Sequence, residues 1–325
     1  MSSPTGPGHG LPVRMPRPRQ PGRHRRPEPV TAPDDAPALV LAVPGGPSEE
    51  SRALAEEVAS IARSELPGLD ARIGFVEERR ADAEAPRPAE EAPGAEAADA
   101  SQATETFASS PALPSLREVL TGLAARRADP DRDVPAVVVP LLANPDAAQL
   151  RLIRQVVLDS GSGAELTDVL GPHPLLAEGV HVRLSEAGLA RADRARLFTV
   201  ATAADGIILV TVGGQEAVQA AGITGMLLSA RLAVPVLAAA LDEEGSVAQT
   251  ARQLTEAGSQ QLALAPCLIG PEIPEGLLAE AAKEAGCAAA EPLAAYPAVG
   301  KLVLSAYMAK VGIAPQHPTQ GTPVR

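Results

Sequence analysis

Few histidines and cysteines stand in this sequence to move protons, hold a metal or attack a carbon. Of five histidines, His9, His24 and His317 lie near the ends, which leaves His173 and His181 within patterned sequence. His173 sits between Pro172 and Pro174 at a strand-to-helix turn. An imidazole there either serves as a base in a cleft or caps the helix that follows, so His173 is the one candidate catalytic residue. His181 lies eight positions further on, a poor partner for a shared metal, and reads as a solvated helix position. Cys267 and Cys287 are too few for a disulfide framework and lack zinc spacing, so the sequence indicates no metal site and no cofactor and fits a reducing, cytoplasmic setting. The remaining candidates are backbone and amide groups. Gly45-Gly46 and Gly213-Gly214 either bring N–H groups at a helix start up to an anion or make a tight turn. With Asn144 they form the candidate substrate-binding set, Gly45, Gly46, Asn144, Gly213 and Gly214. Neither glycine pair has the spacing of a dinucleotide fingerprint or a Walker loop.

These residues need elements to place them. From residue 38 onward, short β-branched runs alternate with helical periodicity, the mark of parallel strands joined by crossover helices. Strands are expected at 38–43, 71–76, 134–142 and 165–170. Ser48 with Glu49 and Glu50, the capping box from Ser115 to Glu118, and Pro174 mark helix starts. The pattern then repeats: Gly45-Gly46 returns as Gly213-Gly214, 168 positions later, and Val137-Val-Val-Pro140 returns as Ala263-Leu-Ala-Pro266, 126 positions later. His173-Pro174 returns as Tyr296-Pro297. Three correspondences in one order imply a tandem duplication. The expected fold is therefore α/β, two tandem doubly wound parallel sheets of four strands each, in the order 2-1-3-4. The units are placed at residues 38–190 and 199–312. In such sheets ligands sit beyond the carboxyl ends of the strands, where the order reverses, here loops 44–48, 143–148, 213–216 and 270–274.

Composition narrows the function. The chain has 325 residues, a net charge of −12, no Trp, two Tyr and three Phe. That charge opposes nucleic-acid binding by the folded body, and the lack of aromatics removes base stacking. No apolar run is long enough to span a bilayer. Residues 1–37 are rich in Pro, Gly and Arg, with six arginines between positions 14 and 26, and are expected to form a disordered basic tail. Residues 79–111 lose all periodicity and become Ala, Glu and Pro, an expected disordered acidic insertion, and 313–325 form a second tail.

The duplicated four-strand unit, the Pro140-Leu-Leu end of the third strand, and the string Leu170-Gly-Pro-His-Pro-Leu-Leu-Ala-Glu178 resemble the sirohydrochlorin chelatase family of class II chelatases. The resemblance covers about residues 38 to 312 apart from the insertion. It implies a lyase that inserts cobalt or ferrous iron, as substrate, into a tetrapyrrole bound between two domains, on the way to cobalamin or siroheme. It also implies a histidine in a Gly-His-Gly-Ser string after the first strand and a second histidine after the third. Here those places hold Pro44-Gly-Gly-Pro47 and Asn144-Pro-Asp146, and the second copy, Val212-Gly-Gly-Gln215, restores neither histidine. Glycine and asparagine cannot accept the pyrrole protons that insertion releases. The expectation is a chelatase-family protein with a degenerate metal-insertion site. The alternatives are a noncatalytic module holding a tetrapyrrole or another anionic small molecule, and an interaction protein using the Arg-rich tail and the acidic insertion. The sequence leaves the oligomeric state open.

Overall fold

The computed structural model describes residues 31–76, 113–126, 134–190, 204–270, 272–273 and 276–313. The expected disorder of the tail up to residue 30, of 79–111 and of 314–325 lies outside them. Residues 31–37 lie inside: Ala32 N–H donates to Pro67 O at 2.9 Å, and Pro37 O accepts from Tyr307 Oη at 2.7 Å.

The first half runs β1 (Ala38–Pro44), α1 (Glu49–Glu65), β2 (Ala71–Val76), α2 (Leu116–Ala124), β3 (Ala136–Pro140), α3 (Ala147–Asp159), β4 (Glu165–Leu166) and α4 (Pro174–Glu186). The second runs β5 (Gly206–Thr211), α5 (Gly214–Leu232), β6 (Val236–Ala240), α6 (Ser246–Glu256), β7 (Leu262–Pro266), α7 (Leu277–Ala285), β8 (Ala288–Ala289) and α8 (Pro297–Val311). The two parallel sheets have the orders β2-β1-β3-β4 and β6-β5-β7-β8, the doubly wound α/β arrangement expected from the repeat. Register carries the duplication residue by residue. Ala38 pairs with Ala136 in one sheet and Gly206 with Leu262 in the other; Ala42 with Pro140 corresponds to Val210 with Pro266. Each proline ends its strand, where its missing N–H costs no ladder bond.

Local chemistry explains the elements. Every residue of β1, β3 and β5 is buried, as central parallel strands covered on both faces require. Ser48 caps α1 through Ser51, and Ser115 caps α2 through Glu118, the box read from sequence. Two strands are shorter than expected. β3 runs only from Ala136, after Pro135, to Pro140. β4 ends at Leu166 because the ladder slips there: Thr167 N–H donates to Val138 O, but Leu170 N–H donates to Leu142 O, so one partner fewer lies between them.

The last helix of each half packs on the other half. α8 lies on α1 and β3, and α4 lies on α5 and β7. The α1–α8 crossing is close at Gly300, where a Cβ would fall 2.6 Å from Ile61 Cβ and 3.3 Å from Val58 O. Lys301 reaches Glu65 at 3.8 Å and Lys310 reaches Glu165 at 3.3 Å. In the same way Arg183 of α4 donates to Leu293 O at 2.9 Å. One continuous apolar core results, running from Leu39, Leu41 and Val139 of the first sheet to Leu209, Ala263 and Ala265 of the second.

Candidate functional site

The loops beyond the carboxyl ends of the central strands bring Asn144 and Gly213 together. Asn144 follows β3 after the buried run Leu141-Leu-Ala143 and is itself only 3% exposed. Its Nδ2 donates across to the second half, to Thr211 Oγ1 at 3.1 Å and to Cys267 O at 2.7 Å. Thr211 ends β5 and Cys267 directly follows β7, so one amide ties the third strand of one sheet to both central strands of the other. Asn144 Oδ1 has no partner among the described residues. Gly213 closes the same seam. Its φ is +111°, and a Cβ would meet Pro145 O at 2.8 Å and Asp146 Cα at 2.9 Å, so conformation and space both demand glycine. Asp146 turns to its own helix and caps α3 by accepting from Ala148 and Gln149 N–H groups.

Two of the four glycine amides that would cradle an anion are engaged inside the protein. Gly45 N–H donates to Val76 O at 3.1 Å, and Gly213 N–H donates to the Asp242 carboxylate at 3.0 Å. Gly46 is exposed and Gly214 half-buried. Charge at this end is negative: Asp146, Glu216, Asp242, Glu243 and Glu244 stand in or beside the loops, and the described loops after β1, β3, β5, β6 and β7 hold no Lys or Arg. Glu272 accepts from Ile269 and Gly270 N–H groups at 2.6 and 2.8 Å. Burial raises its pKa, against which those two bonds pull. Cys267, fully buried beside Asn144, has its thiol pushed up to about 11, by burial first. It stays protonated and unreactive at neutral pH. Among the described residues, no three His, Cys, Asp or Glu side chains gather as a metal site.

His173 is the N-cap of α4: its Nδ1 accepts from Leu175 N–H at 3.1 Å. That bond requires a neutral ring, and desolvation holds the pKa below the ordinary histidine value. The sign follows. Because the folded pKa is lowered, the unfolded chain takes up the proton first. The stability from this group is complete above the ordinary value and is lost as pH falls toward the lowered one. His173→Asn keeps a capping oxygen without a titrating ring, so its unfolding midpoint should fall less than that of wild type between about pH 7 and pH 5. His173→Ala should lose about 0.5–2 kcal/mol even at neutral pH. Parallel pH curves for wild type and His173→Asn would refute this.

His181, expected to be solvated, is buried at 3% exposure. The reason is the exchange of helices: α4 packs on α5, and Arg231 Nε donates to His181 Nδ1 at 2.7 Å. Thr211, Cys267 and Arg231 escaped the sequence reading because each acts through a partner on the other half, at separations of 50 to 123 positions. A hydroxyl at the end of β5 was the one available signal.

No protein-family model and no curated protein matches the chain. Among solved structures, it is similar to that of CbiX, the terminal enzyme for biosynthesis of siroheme in denitrifying bacteria, at 14% identity and a TM-score of 0.50, over 84% of this chain and 98% of that one. A looser match, with a TM-score of 0.32 and 10% identity over 86% of this chain and 87% of the other, is the periplasmic binding protein component of the arabinose ABC transporter from Shewanella sp. ANA-3. No helix among the described residues is long and apolar enough to cross a membrane. The first likeness, together with two parallel four-stranded sheets of matching order, gives this chain a chelatase-like fold.

Proposed function

We propose that this protein is a chelatase-fold scaffold that does not insert metal, its two units spanning 38–190 and 199–312. The observation that carries the reading is Asn144. At the position where the family resemblance calls for a metal-site histidine stands a buried amide that binds Thr211 and Cys267 across the seam. A base must reach solvent and substrate, whereas this side chain reaches neither. The second such position, Gly45-Gly46, offers no side chain, and His173 directs its lone pair into the α4 helix. Binding of a carboxylate-bearing tetrapyrrole without turnover is the rival reading; the acidic loops, which hold no cation among their described residues, weigh against it.

The test is an absorbance assay of cobalt or ferrous iron entering sirohydrochlorin, with wild type and His173→Ala. Both should match the rate without protein, and titration of the metal-free macrocycle should leave its spectrum unchanged. Insertion above that control in wild type overturns the proposal, and its loss in His173→Ala would then make His173 the base. A saturable spectral change without insertion would favour the binding module instead.

A further inference from the structure

We propose that the outer face of α5 is a self-association surface that seats a second copy of this chain, antiparallel about a twofold axis. On α5 the side chains of Ile223, Met226 and Leu227 are 45%, 66% and 39% exposed, and Ala230 extends the stripe by a turn. No residue between Glu216 and Arg231 is charged. A surface helix ordinarily shows a polar outer face, so a helix apolar on both sides implies a covering partner.

The duplication supplies an internal control. In α1 the buried positions are Ser51, Ala55, Val58, Ala59 and Ala62; in α5 the same spacing returns as Ala217, Ala221, Thr224, Gly225 and Leu228, 166 positions on. In that alignment Glu57, Ser60 and Ser64 of α1 stand where α5 has Ile223, Met226 and Ala230, while Leu227 corresponds to Ile61, which packs on Gly300 of α8. Both helices cover the same place on equivalent sheets, so the fold does not demand apolar residues at 223, 226 and 230. Something outside the fold does.

Charge identifies the partner as another copy. With a net charge of −12, most contacts between two copies bring like charges together, and the α5 stripe avoids that cost. Its two ends carry opposite signs, Glu216 in the first turn and Arg231 in the last. Fifteen residues apart, they fall about 60° from each other around the helix, Glu216 in line with Ile223 one heptad on and Arg231 on the Leu227 flank of the stripe. The bond from Arg231 Nε to His181 fixes the guanidinium on that flank. A twofold axis perpendicular to α5 then sets Ile223 against Leu227 of the second copy, brings Met226 near the axis, and directs each Glu216 toward the other copy's Arg231. Antiparallel pairing also opposes the helix dipoles.

The inference does not depend on the proposed function. Sedimentation equilibrium of the full chain at micromolar concentration should give twice the chain mass. Met226→Glu and Ile223→Glu should each weaken the dimer by roughly tenfold or more while leaving the unfolding midpoint of the monomer in place, because both residues are exposed there. In a Cys287→Ser background, Met226→Cys should form an intermolecular disulfide on oxidation, and Ser60→Cys, its counterpart on α1, should not. A monomeric wild type overturns the inference, whether solvent, lipid or another segment of the chain covers the stripe. So does a dimer that tolerates both glutamates, or equal cross-linking at positions 60 and 226.

Discussion

Asn144→Ala is expected to lower stability by about 2–4 kcal/mol, an outsized effect for so small a truncation. The substitution removes two hydrogen bonds and leaves the Cys267 carbonyl without its donor at a seam where the whole side chain is buried. Thr211 suffers less, since its hydroxyl also donates weakly to Val212 O at 3.3 Å. The cost is mainly the desolvation of groups left unsatisfied rather than the net strength of the lost bonds. Urea unfolding should show a lower midpoint with an unchanged slope, because the surface exposed on unfolding is the same. Asn144→Asp tests the amide itself: a carboxylate cannot donate to Cys267 O, so this nearly isosteric change should cost at least as much as alanine. A stability within about 0.5 kcal/mol of wild type for both variants would remove the seam as a structural lock, and with it the main support for the proposed function.

Tyr307→Ala is expected to cost about 3–5 kcal/mol. Tyr307 has no exposed surface, lies on the exchanged helix α8, and donates its hydroxyl to Pro37 O at the entry to β1. Burial, with the Asp70 carboxylate second, pushes its phenol up to about 12. A raised pKa means that this contribution is complete below the ordinary tyrosine value near 10 and is lost as pH rises through about 12. Tyr307→Phe keeps the ring and loses only the bond, so it should cost about 1 kcal/mol and abolish this alkaline dependence. If Phe and Ala cost the same, packing of α8 on the first half is not what the ring supplies.

Most of the secondary structure could be read from spacing. The glycine pairs, the box at Ser115 and Glu118, and Pro174 with Pro297 each work within a few residues, and short-range constraints of this kind survive in any tertiary context. The offsets between the copies even anticipated register, since Ala38 pairing with Ala136 recurs as Gly206 pairing with Leu262. Spacing misleads where a distant partner intervenes. The fourth strand stops at Leu166 because its ladder slips against β3, and nothing within 165–170 records a slip.

The sequence by itself determined the alternating α/β plan, its duplication, the strand order and the lack of histidine in the loops after the first and third strands, because periodicity, caps and residue identity are local or countable properties. Only the tertiary structure decided what the candidate residues do. Asn144 looks like an open loop amide until β5 and β7 arrive beside it, and His181 looks solvated until α4 crosses onto α5. The physical reason is that burial and hydrogen-bond partners belong to pairs of residues brought together by packing, whereas a sequence records only single residues and their neighbours along the chain.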